Sequence, residues 1–172
     1  MLKLHPLVAQ LEGLGLLGLA PPDDPAERAR WPRDGEAPQL AILQLCHLGA
    51  LRHGLSVALT VRPDELIGPL SAAMGGAARG LRVLDVREQP VLTLEVLVGG
   101  VEAVLELTRL EQLPEDLNTL LVDATDVRPV AILGEWEQAL QLWCVPRGAL
   151  DLLLDEALEG AWNVEQLEAL LD

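Results

Sequence analysis

Chemistry needs reactive side chains at workable spacing, and this sequence offers few. Asp85, Glu95, Glu102 and Glu106 lie on a run of predicted strands. Metal-dependent nucleases of the restriction type place one acid, then an acid-X-Lys, on adjacent strands. Here Glu95 is followed by Val96 and Leu97, and the only lysine is Lys3. Strands lie roughly 4.8 Å apart, so Asp85 and Glu106, flanking Thr93, would stand about 10 Å apart, too far for one ion. His47 and His53 are six residues apart on one predicted helix, which points them in different directions. With His5 they form no H-x-x-x-H or Cys/His cluster. Serine occurs only at 56 and 71, neither in a nucleophile elbow. Cys144 has no basic residue or helix start beside it to activate the thiol. GLGLLG near residue 13 follows no strand, and MGGAARG at 74–80 reads as a turn, so neither is a phosphate loop. The sequence therefore predicts no catalytic, metal or cofactor site, and a protein that is not an enzyme.

The composition agrees with a packed chain that binds rather than reacts. The 172 residues are half apolar, enough for one folded unit with a real core. There is no Phe and no Tyr, four tryptophans supply the aromatic content, and leucine occurs 40 times. Such a core packs with little geometric specificity, which a second copy could supply. The net charge of −15 is uneven: residues 111–172 carry 14 acids and two bases, which leaves −3 for residues 1–110. That acidity argues against direct nucleic-acid binding and would attract a basic protein partner; it also serves solubility. Cys46 and Cys144 sit in apolar runs and read as buried, reduced thiols. No signal peptide or membrane span is read, so a cytoplasmic location is expected.

The elements follow from periodicity and punctuation. Leu4, Leu7, Val8, Leu11 and Leu14 predict a helix over 2–18, and the proline-rich, charged stretch 20–38 reads as a loop pinned by Trp31. A helix apolar nearly all round follows over 38–53, ended by Gly54. LSVALTV at 55–61 alternates as a half-buried strand, and Pro63-Asp64-Glu65 opens a helix to Met74. Strands at 81–88, 90–98 and 101–108 precede a helix at 113–122, strands near 129–134 and 139–145, and a helix at 147–158. The last helix, 161–171, has Asn163 as N-cap, Gln166 at the reciprocal capping position, and Trp162 with Leu167 as a hydrophobic staple. The expectation is an α+β fold: an antiparallel sheet of a three-strand meander plus two further strands, packed with helices. A single domain spans 1–172, with an α-β-β-β-α-β-β-α core at 63–158 and an N-terminal extension, 1–62, of two helices and a strand.

Gly99-Gly100 permits the positive φ of a two-residue hairpin turn, which fixes register. Val98 then faces Val101, Val96 faces Ala103, Leu94 faces Leu105 and Leu92 faces Leu107, a wholly apolar face. A three-residue loop, Glu88-Gln89-Pro90, would add Val86 beside Leu92 and Leu84 beside Leu94 on that face. Leu81, Val83, Val91, Leu97 and Val104 then share the other face with Asp85, Arg87, Glu95, Glu102 and Glu106, since strand residues alternate sides. Interfaces have this mixture. Either the N-terminal helices cover it or a partner or second copy does. Asp151, Asp155 and Glu159, at i, i+4 and i+8 on helix 147–158, form a carboxylate ridge that serves as a solvated face or a docking surface.

From residue 63 the order helix, three-strand meander, helix, two strands, helix resembles the YbjN family and the type III secretion chaperones. The resemblance covers residues 63–158 and rests on element order, size and acidity. It implies a non-catalytic, chaperone-like or adaptor protein, homodimeric, that binds a protein partner. Its partner surface would comprise Leu81, Val83, Val91, Glu95, Leu97, Val104, Glu106, Asp151, Asp155 and Glu159. An acidic nucleic-acid mimic, a toxin-neutralising protein and an enzyme with an unrecognised site are the alternatives.

Overall fold

A computed structural model describes residues 3–171. Its elements are α1 (Pro6–Gly13), α2 (Pro25–Arg28), α3 (Pro38–His47), β1 (Gly54–Ala58), α4 (Pro63–Met74), β2 (Arg82–Arg87), β3 (Leu92–Val98), β4 (Val101–Leu107), α5 (Gln112–Leu120), β5 (Val130–Trp136), β6 (Ala139–Cys144), α6 (Arg147–Leu153) and α7 (Val164–Ala169). A 3₁₀ turn, Gly76–Gly80, joins α4 to β2. The fold is α+β, with the strands split into two antiparallel three-stranded sheets, β1-β6-β5 and the meander β2-β3-β4. The strands expected in one sheet are divided between two, and β1 from the N-terminal extension joins one of them by pairing with β6.

In the β1-β6-β5 sheet, β5 and β6 are buried on both sides. Ala131, Leu133, Trp143 and Val145 face a cluster built from α1, α3 and α6 with Trp31. Val130, Ile132, Leu140, Leu142 and Cys144 face a second cluster, with Leu66, Leu70 and Met74 of α4, Leu113 and Leu117 of α5, and Leu94, Val96, Leu105 and Leu107 of the meander. Continuous apolar runs in β5 and β6 suit strands covered on both faces. The N-terminal helices thus cover the β1-β6-β5 sheet: α3 packs on β1, β5 and β6. They do not lie on the meander's outer face, one of the two coverings the sequence left open.

Several helices are shorter than their periodicity predicts. The helix expected over 2–18 runs from Pro6 to Gly13 (Leu2 lies outside the described residues), capped by His5, whose Nδ1 accepts from the Leu7 amide at 3.0 Å. Helix α3 stops at His47, ahead of Gly49 at φ +75°, a left-handed position that glycine adopts without penalty. The 20–38 stretch contains the single turn α2 and is held by Trp31, which is buried in the first cluster. Helix α6 ends at Leu153, so the 147–158 helix is cut short. Asp155 and Glu159 lie in the turns that follow, and the three carboxylates share no helix face. No helix among the described residues is long and apolar enough to cross a membrane.

Candidate functional site: two sheet edges and a polar cluster

The β3-β4 hairpin has the register its two glycines dictate, from Leu92 opposite Leu107 to Val98 opposite Val101. Strand β2 departs from alternation. Asp85 pairs with Glu95 but Val83 pairs with Val96, so an irregularity at Leu84 shifts the strand by one residue. Such a bulge turns the preceding residues to the opposite side. Val83 therefore lies on the side of the buried Val96, not on the outer face where simple alternation placed it. Val86 pairs with Leu94, two residues from the expected Leu92.

The outer face consequently reads in rows Arg82–Leu97–Glu102, Asp85–Glu95–Val104 and Arg87–Thr93–Glu106. Only Leu97 and Val104 are aliphatic there. Arg87 joins Glu95 at 2.6 Å and Asp85 at 3.4 Å across it. Leu81 packs against the second cluster and Val91 is half-buried. Apolar surface also lies along β2 itself. Every β2 residue is exposed, including Val83 at 37 %, Leu84 at 48 % and Val86 at 38 %, although Val83 and Val86 point to the core side. The helices beneath reach β3 and β4 and leave β2 overhanging. Among the described residues, no β2 backbone group bonds outside the meander. β4, the meander's other edge, buries Leu105 and Leu107 but leaves Val101 and Val104 60 % exposed.

The edge at β5 is closed. Asn118 accepts from the Val130 amide and donates to the Val130 carbonyl, both at 2.8 Å. Asn163 Oδ1 accepts from the Ile132 amide at 2.9 Å, and its amide donates to the Val130 carbonyl at 2.8 Å. The Trp162 amide donates to the Ile132 carbonyl at 2.8 Å. Gln166 bridges both asparagines and donates to the Glu115 carbonyl at 2.9 Å. Asn163 thus makes no side-chain cap to α7; its amide serves β5 instead. Trp162 of the expected staple is half exposed, while Leu167 is fully buried.

A third feature joins residues far apart in sequence. Ser56 on β1 pairs with Gln141 on β6, which turns both toward the C-terminal end of α3. His47 Nδ1 lies 3.2 Å from Ser56 Oγ, and His47 Nε2 lies 3.2 Å from Glu137 Oε2. Gln141 Nε2 donates to Ser56 Oγ at 2.9 Å, and Gln141 is fully buried. Glu137 and Gln138 form the β5–β6 turn with φ of 49° and 64°, left-handed values that side chains rarely adopt. A groove of about 220 Å³ beside His47 is lined by Arg30, Gln44, Leu48, Trp136 and Glu137. Sequence reading left these residues apart, because register and a turn bring them together. One signal was present: Gln141 is a lone polar residue in the apolar run ALQLWCV. The two cysteines are free and buried, and burial pushes both thiols up to about 12, which makes them inert.

Comparison of the chain with protein-family models, with curated proteins and with solved structures returns no match.

Proposed function

We propose that this is a protein-binding, chaperone-like module whose β2 edge pairs with a second copy of the chain. The observation that carries the reading is the uncovered strand: Val83, Leu84 and Val86 stand exposed on an edge that nothing else among the described residues covers. Natural sheets protect their edges, because an open ladder invites another strand. Strand addition would satisfy the ladder and bury these three side chains together. Arg82, Asp85 and Arg87 on the same strand would set register through charge, since like charges directly opposite one another are disfavoured. The element order from residue 63 adds the resemblance to the YbjN and type III secretion chaperone folds.

The acidic C-terminal third supports a further role in attracting a basic partner. Asp151, Asp155, Glu159, Glu165 and Glu168 are all exposed, and such a field speeds encounter and fades with salt. The free thiols suit a reducing compartment such as the cytoplasm. Light scattering tests the pairing. The expected solution mass is twice the 18.5 kDa of one chain, falling to a single chain in a Val83→Asp, Val86→Asp double variant that stays folded. A wild-type protein of single-chain mass at all concentrations overturns it.

A further inference from the structure

We propose that Ser56 is a nucleophile for acyl transfer, with His47 as its general base and Glu137 as the residue that positions His47. The substrate class is a small acyl ester that reaches the exposed Ser56 hydroxyl from solvent. This inference does not depend on the pairing of β2.

The hydrogen-bond directions are consistent with one protonation state. With His47 neutral and its proton on Nε2, that N–H donates to the Glu137 carboxylate and leaves the Nδ1 lone pair facing Ser56. The Ser56 hydroxyl donates to Nδ1, while Gln141 Nε2 donates to the Ser56 oxygen at 2.9 Å and also stands 3.4 Å from Nδ1. Nucleophile, base and orienting acid thus stand in sequence, each within hydrogen-bond reach or slightly beyond it, the arrangement that activates a hydroxyl. The two ring nitrogens exchange the roles they play in serine proteases, which does not alter the logic. Ser56 is exposed and so open to a substrate.

Two further observations point away from a purely structural cluster. An exposed His–Glu pair adds little to stability, and Glu137 is 70 % exposed. Yet Glu137 is held in a left-handed turn conformation where glycine or asparagine is preferred. Gln141 is fully buried, and its Oε1 has no hydrogen-bond partner. A buried amide left half satisfied is costly and is retained where it serves a site.

In the reaction, Ser56 Oγ attacks the ester carbonyl and its proton passes to His47 Nδ1. The carbonyl–alkoxide bond breaks, and the same proton goes to the departing alcohol. Water then attacks the acyl-serine, giving a proton to His47 that returns to Ser56 Oγ as the carboxylic acid leaves.

The experiment uses the full chain and p-nitrophenyl acetate. Released p-nitrophenolate is followed by absorbance, and the acetyl group is located by peptide mass mapping. The expected result is acetylation at Ser56, absent in Ser56→Ala and slowed about 100-fold in His47→Gln, the scale of general-base assistance. Glu137→Gln slows it by about tenfold and Glu137→Asp restores much of the loss, which a merely structural role for the turn would not produce. Circular dichroism confirms that each variant is folded. Acetyl found only at Lys3 or the N-terminus, or folded His47→Gln reacting at the wild-type rate, overturns the proposal.

Discussion

The β5 and β2 edges solve the same problem in opposite ways. Both border three-stranded antiparallel sheets, and both carry aliphatic residues. At β5 the backbone groups of Val130 and Ile132 are met by Asn118, Asn163 and the Trp162 amide, which act as a surrogate strand. The edge is closed from within, and the strand is buried on both faces. At β2 no side chain among the described residues substitutes for a neighbour, and the strand is exposed on both faces. Its bulge at Leu84 and its three charges discourage indiscriminate pairing. An edge left open, shaped and charged is suited to a chosen partner.

The comparison breaks most visibly in the core. Leu142→Ala, fully buried on β6, should lose about 2–5 kcal/mol in denaturant unfolding. Measured in dilute protein, where the chain is monomeric, Val86→Ala on β2 should change stability by less than about 0.5 kcal/mol, as for an exposed position. Equal losses would mean that β2 is covered within one chain. Closure of the β5 edge is the next test. Asn118→Ala strands the buried Val130 amide and should cost about 1–3 kcal/mol. A neutral result would mean that water replaces the side chain without loss.

The turn beside the polar cluster offers a smaller effect of opposite sign. Gln138→Gly relieves a left-handed residue at φ 64° and should stabilise the protein by about 1 kcal/mol. The smallest expected effect is the pH dependence from His53. Burial, then the charges of Arg128, Arg52 and Arg79, lower its pKa below 6.5. The unfolded chain therefore takes up the proton first. Stability from neutral His53 is present above pH 6.5 and lost as pH falls through the lowered folded value. His53→Asn, which tolerates the φ of 64° at that position, should flatten this acid-side decline in a pH series of unfolding curves.

The sequence carried the fold where local rules govern. Gly99-Gly100 set the β3–β4 register, and Pro63 with Met74 bounded α4 as drawn. It failed where one residue alters the geometry. Simple alternation put Val83 on the outer face, and the bulge at Leu84 reversed it. The carboxylate ridge assumed a helix that ends at Leu153, and its members part in the turns beyond. Asn163 read as a cap because capping is local, whereas its partners on β5 are some thirty residues away. The Ser56 cluster was illegible for the same reason: Ser56 and Gln141 meet only through the β1–β6 pairing.

Hydrogen exchange at β2 tests the central claim most directly. Amides on the outer edge of Arg82–Arg87 should exchange rapidly in dilute protein and gain protection as concentration rises, while Val130 and Ile132 stay protected throughout. Outer β2 amides that exchange rapidly at every concentration, or are already protected at the lowest, would contradict the account.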